Sequence, residues 1–402
     1  MIRRLNCILT HKNVLTCGVL FVFLLSLKYY FLPIGGDELK YYELAQNIKY
    51  NGKYFYQDCP NTFIPTIPFL ILLFDTPSNP MLGIVFAKLF VFAMLVVGLF
   101  YANKVFELAL IDRLTINLIL LGVMFNPHVI RWTVTLYPDI IAFGLFWFII
   151  HRILLYNSRK NISAQNWFIL VLFMTILVLV KYVYVVLYFW VVYIWIDKIK
   201  YLFRFVGFRR TFISYMKHNI AIMFALIPLV IWIQYLIGVD FGSGANESGF
   251  SQFKNTGENV LIRNLKKGLG FIPMENGKFN GIPAFINNFI PKVNLRDWYL
   301  SVFSLFIVLY GLIINVLRKT NRTYAVLLIT LFLVMLSFIV SGTGFSRYWL
   351  PLFPIFYLGI RETFKLFLKH DTMFTYFVVI GIFFYILNEI RLIQVVIQSL
   401  KS

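Results

Sequence analysis

Apolar runs of bilayer length recur along this chain, separated by short polar and basic turns. A helix that crosses the hydrocarbon core needs about 20 mostly apolar residues. On that measure Val14–Leu32, Pro80–Asn103, Ile140–Leu155, Trp167–Val180 and Tyr182–Ile196 read as spans. So do Ile220–Ile237, Trp298–Leu317, Tyr324–Val340, Arg347–Phe364 and Met373–Leu387, with the short run Thr115–Asn126 as one more. The pattern predicts an all-α polytopic membrane protein with about eleven transmembrane helices. Phe63–Phe74 is apolar but too short to cross, and Pro65 and Pro68 break it. It is expected to be a re-entrant or interfacial piece.

The turns carry a regular charge signal. Basic residues gather at Lys104–Arg113, at Arg159-Lys160, from Lys198 to Lys217, at Arg318-Lys319-Arg322, and at Lys365 and Lys369. The excess of Lys and Arg in cytoplasmic loops puts these turns, and the N-terminus, inside. The alternate turns then face outward. They hold Asp37, Glu38, Asp139, Arg347 and one long polar region, Gly238–Asp297. That region translocates whatever its charge, because long loops escape the rule. No short-period repeat or Gly/Ser linker divides the chain, so residues 1–402 are expected to form a single domain without a separate soluble one.

Composition agrees with the pattern. The chain is 60% hydrophobic and 13% charged, about half the charged fraction of an ordinary soluble domain. Its net charge of +20 would suit nucleic acid, but no soluble basic face alternates with stacking aromatics. Anionic lipid headgroups suit the basic turns better, so membrane lipids are expected partners and nucleic acid is not. The basic leader with Arg3, Arg4 and Lys12 precedes a first span with no evident small-residue cleavage site, which reads as a retained anchor. Cys7, Cys17 and Cys59 form no motif and predict neither a disulfide nor a structural metal.

The segment after the first span concentrates the chemistry. Gly35-Gly36-Asp37-Glu38 leads into a short helical pattern in which Tyr41, Leu44, Ala45 and Ile48 make one apolar stripe. Asp37 is placed to cap this helix and Gly52 to stop it. Such a helix lies in the membrane interface. Asp37, Glu38, Tyr41, Ala45, Gly52, Pro65 and Pro68 together resemble the first outer loop of GT-C membrane glycosyltransferases. The similarity is to the family that includes dolichyl-phosphate-mannose protein mannosyltransferases and aminoarabinose transferases.

Three further charged places stand out, since ionisable groups at span ends or at membrane depth are costly and often functional. Asp139 follows Tyr137-Pro138, where it reads as an N-cap of the next span. Lys181 interrupts two apolar runs, where it could simply snorkel. Arg347-Tyr348 opens a segment with Pro351 and Pro354, longer than an interfacial anchor requires. The resemblance gives each a second meaning. It implies Asp37 as the base that takes the acceptor proton, with Glu38 and Asp139 as further acids that orient the acceptor or hold a divalent metal. It implies Lys181, Arg347 and Tyr348 at the donor phosphate.

The resemblance implies a polyprenyl-phosphate sugar as donor, a lipid, glycan or protein as acceptor, and an active site on the outer face of a bacterial plasma membrane. No nucleotide is expected, and no P-loop or Rossmann glycine fingerprint occurs. The long outer region, with Lys266, Lys267 and Trp298, could serve as a lid or as plain mobile surface. Two rival readings differ in what they need. An O-antigen polymerase or ligase relies on arginines in its large outer loop. A flippase or transporter calls for inverted repeats and acids in mid-span.

Overall fold

The computed structural model describes residues 9–11, 13–30, 34, 36–54, 65–76, 80–157, 162–205, 208–238, 258–272, 281–289, 298–318, 321–368 and 372–401. Among these residues the regular structure is all helical. The helices are α1 (Val14–Tyr30), α2 (Asp37–Asn51), α3 (Thr66–Leu73), α4 (Pro80–Leu108), α5 (Arg113–Met124), α6 (Pro127–Trp132), α7 (Pro138–Asn157) and α8 (Ala164–Val180). They continue with α9 (Tyr188–Phe205), α10 (Phe208–Gly238), α11 (Val260–Leu269), α12 (Trp298–Arg318), α13 (Arg322–Ser341), α14 (Phe353–Leu368) and α15 (Thr372–Lys401). Three 3₁₀ segments, Tyr182–Leu187, Ile282–Asn288 and Ser346–Leu352, interrupt the series.

Among the described residues six helices are long and apolar enough to cross a membrane: α4, α7, α12 and α13, and the apolar stretches Tyr215–Leu236 of α10 and Thr372–Gln394 of α15. The protein is therefore α-helical and polytopic in character, with six helices of full crossing length among the described residues where eleven spans were expected. Other apolar helices are shorter. α1 and α8 have 17 residues each and α5 has 12. At 1.5 Å per residue they reach only about 26 and 18 Å, against a core of about 30 Å. α14 has 16 residues and carries the buried pair Arg361 and Glu362.

Two other expectations change. The basic stretch from Lys198 to Lys217 is not a loop, because α9 and α10 run through it and only residues 206 and 207 lie outside the described set. Lys and Arg are good helix formers, so nothing in their chemistry ends a helix there. The long polar region is partly ordered structure: α11 packs on α13, and the 3₁₀ segment Ile282–Asn288 packs on α12. Gly268 sits directly on the Ile339 backbone, where a Cβ would come within 2.5 Å of Cα. Residues 239–257 of that region, Cys7, Cys59 and the turn Arg159-Lys160 lie outside the described residues.

α7 occupies the middle of the bundle. Most of its side chains are buried, from Pro138 through Ile150 without interruption. It packs on α4 through two glycines. A Cβ on Gly98 would stand 2.2 Å from the Phe143 ring, and one on Gly144 would stand 2.6 Å from the Met94 carbonyl. Small residues at such contacts let helices approach closely in membranes, where dispersion rather than water drives packing. On its other side α7 meets α8 and the 3₁₀ segment Ser346–Leu352. The buried Trp147 Nε1–H donates to the Pro351 carbonyl at 3.0 Å, fixing that segment on the bundle.

The helix line from α8 to α9 breaks at Lys181, whose φ of −157° and ψ of 114° are extended. A break in an apolar bundle frees carbonyls that need donors. Thr66 Oγ1 donates to the Leu179 carbonyl at 3.0 Å and Ser337 Oγ to the Val183 carbonyl at 2.7 Å. The short helix α3 and the long helix α13 thus hold the break open from two sides.

Candidate functional site

Each residue of the site is delivered by a local device. Gly36 precedes α2 with φ 60° and ψ −128°, a conformation that side chains with a Cβ rarely adopt. Gly36 is itself the N-cap, with no side-chain capping bond. This corrects the expectation that Asp37 caps the helix. The Tyr137 hydroxyl lies beside this first turn, 3.6 Å from where a Cβ on Gly36 would stand. Burial, and then the nearby Asp37 charge, raise the Tyr137 pKa and keep the phenol protonated. The Asp37 carboxylate is left to project from the first turn, with its side chain 44% exposed. Gly52 ends α2 as expected, in the left-handed conformation with φ 65°. Lys49 then ties the last turn to Asp75, beyond α3, at 2.5 Å.

Asp139 lies in the first turn of α7, where the helix dipole favours a negative charge. Its side chain is fully buried and serves two cations rather than a cap. Oδ1 accepts from the Lys181 ammonium, and Oδ2 lies 3.7 Å from Arg347 Nε. Lys181 does not snorkel. It is 3% exposed, and its ammonium stands 3.1 Å from the centroid of the Tyr348 ring. Cation–π attraction of this kind strengthens where water is excluded.

Arg347, in the 3₁₀ segment, joins the two acids. Nη2 donates to Asp37 Oδ2 at 3.1 Å, while Nε faces Asp139. Its guanidinium lies 4.5 Å from the Tyr137 ring and 5.6 Å from Trp132. Tyr348 places its ring under Lys181, and its carbonyl accepts from the Tyr184 hydroxyl at 3.2 Å. The next residue, Trp349, is fully buried and donates from Nε1 to the Gly344 carbonyl at 3.2 Å.

Asp37, Asp139, Lys181 and Arg347 thus form one linked chain of charges, drawn from positions up to 310 residues apart. Glu38 does not join it. Its buried carboxylate accepts from the Leu136 backbone N–H at 2.6 Å, which fastens α2 to the turn before α7. Sequence reasoning missed Trp132 and Tyr137 as walls of the site. The signal lay in the same turn as Asp139, since Tyr137 is two residues before it. No group of three or more His, Cys, Asp and Glu that could hold a metal occurs among the described residues. Asp37 and Asp139 both face cations of the protein.

In charge terms the cluster is balanced, with two carboxylates against two cations. Its members differ in access. Asp139 is sealed in, Lys181 nearly so, Arg347 is one-fifth exposed and Asp37 is the most open. A second feature lies beyond Trp349, whose ring packs 5.7 Å from Phe285. Phe285 lines a cavity of about 730 Å³, together with Ile307, Tyr357, Phe364, Phe384 and Asn388. The chain was compared with known proteins, and no family model, no curated protein and no solved structure matches it.

Proposed function

We propose that this protein is an integral-membrane glycosyltransferase that moves a sugar from a polyprenyl-phosphate donor to a hydroxyl acceptor at the outer face of the membrane. The observation that carries the reading is the pairing of Asp37, the most exposed acid of the cluster, with Arg347, which shares the buried Asp139 with Lys181. Transfer to a hydroxyl needs a base for the acceptor proton and positive charge for the leaving phosphate. The acceptor oxygen forms a bond to the anomeric carbon as the bond from that carbon to the phosphate oxygen breaks. The proton goes to Asp37, and the electron pair of the broken bond stays on the phosphate.

The donor phosphodiester carries one negative charge and the released monoester carries up to two. In this reading Lys181 and Arg347 supply the positive charge that meets it. Asp139 acts through them as a positioning residue, and Glu38 acts through the backbone it holds. The apolar cavity lined by Phe285, whose ring packs on Trp349, offers room for an isoprenoid tail in this reading.

The test is incorporation of label from polyprenyl-phosphate sugars by membranes containing the protein. Asp37→Asn is expected to abolish transfer while the protein remains inserted and folded. Transfer at the wild-type rate by that variant would remove Asp37 from the mechanism.

A further inference from the structure

The ion pair between Asp37 and Arg347 poses a mechanistic difficulty for the reading above. A carboxylate that accepts a hydrogen bond from a guanidinium is a weakened base, because the cation favours its charged form. An arginine already shared between two carboxylates is likewise not free to fork onto phosphate. Both groups therefore occupy each other. Arg347 offers Nη2 to Asp37 at 3.1 Å and Nε to Asp139 at 3.7 Å, so the two carboxylates face the same edge of the guanidinium. That edge is one of the two that can fork onto a phosphate, and both use Nη2.

The two contacts are unequal. Nε and Asp139 Oδ2 are both buried and neither makes a hydrogen bond. The contact with Asp37 is a formed hydrogen bond, but to a carboxylate that is 44% exposed. Water can solvate Asp37 when Arg347 leaves it. Asp139 has no such recourse and keeps Lys181. An arriving anion therefore displaces Asp37 first.

We infer that the donor phosphate and Asp37 compete for Arg347, so that binding of the donor releases the base. The inference rests on the glycosyltransferase reading and adds an order to it, donor before acceptor chemistry. Without donor, Asp37 is paired and the site is neutral. With the phosphodiester on Arg347 and Lys181, the site carries one net negative charge and Asp37 is an unpaired carboxylate. Transfer moves the acceptor proton to Asp37 and leaves the phosphate with one more negative charge, so the total is unchanged.

The experiment measures equilibrium binding of farnesyl phosphate, with farnesol as the uncharged control, to the full-length protein in lipid nanodiscs. Asp37→Asn removes the competitor while keeping the shape of the side chain. It is expected to bind farnesyl phosphate up to about fivefold more tightly than wild type, the upper end of the range for losing a partly exposed ion pair. Glu43→Gln removes the same charge from an exposed position on α2 and is expected to leave affinity unchanged. In an Arg347→Gln background, which itself binds more weakly, the gain from Asp37→Asn is expected to vanish. Equal or weaker binding by Asp37→Asn overturns the competition, as does a gain that persists without Arg347, since that would be a general field effect. Failure of the wild type and every variant to distinguish farnesyl phosphate from farnesol would instead overturn the phosphate site itself.

Discussion

Replacing Asp139 by alanine isolates the buried part of the charge cluster. The side chain of Asp139 has no exposed surface and that of Lys181 only 4%. Removing one partner of a buried pair costs about 3–5 kcal/mol, because the other charge stays desolvated and unpaired. Lys181 has one escape, which is to lose its proton. At pH 7 that costs about 4.6 kcal/mol, starting from an ordinary lysine pKa near 10.4, so the total penalty cannot rise far beyond that. Asp139→Ala is therefore expected to lower the unfolding free energy by about 3–4.6 kcal/mol, between two and four powers of ten in the equilibrium constant. The assay is reversible unfolding in mixed micelles, titrated with a denaturing detergent and followed by tryptophan fluorescence. Where Lys181 is neutral in the folded variant, the unfolded chain binds one more proton, so stability rises with pH by about 1.4 kcal/mol per unit until pH 10.4. The double change Asp139→Leu with Lys181→Met removes both charges and is expected to recover most of the loss. A single variant within about 1 kcal/mol of wild type, or a double variant no better than the single one, would refute the claim that these two charges hold each other in place.

Three further changes follow from other contacts. Glu38→Ala leaves the Leu136 N–H without its buried acceptor and is expected to cost about 1–3 kcal/mol in the same unfolding assay, with transfer reduced as the α2 entry loosens. Gly144→Leu drives a side chain into the Met94 carbonyl and is expected to cost 1 to about 3 kcal/mol or to prevent assembly, seen as loss of the monodisperse peak on gel filtration. Trp147→Phe removes the donor to the Pro351 carbonyl, for about 1 kcal/mol. Proteolysis or crosslinking across the Ser346–Leu352 segment should report its loosening before the bundle unfolds.

Much of the architecture could be read locally. Repeated apolar runs with charge only at their ends specify helices in lipid, since no other element satisfies its own backbone there as simply. The glycine that ends α2 and the break at Lys181 were likewise visible as residues that interrupt a pattern. Hydropathy could not tell a span from a helix too short to cross, because both are apolar. α5 has the same composition as a span and fewer residues. The packed character of α11 and the segment Ile282–Asn288 was also hidden, because polarity along a sequence does not say which face is covered.

The chemistry divides in the same way. The sequence by itself singled out Asp37, Asp139, Lys181 and Arg347, because a charge at the end of or within an apolar run is expensive and so stands out. Only the tertiary structure decided what each charge is paired with. It set Glu38 apart on a backbone N–H, put Asp139 between two cations, and left Asp37 as the open acid. The physical reason is distance. Burial cost is a property of one residue and its neighbours in the chain, whereas Coulomb energy depends on separations that the fold alone creates.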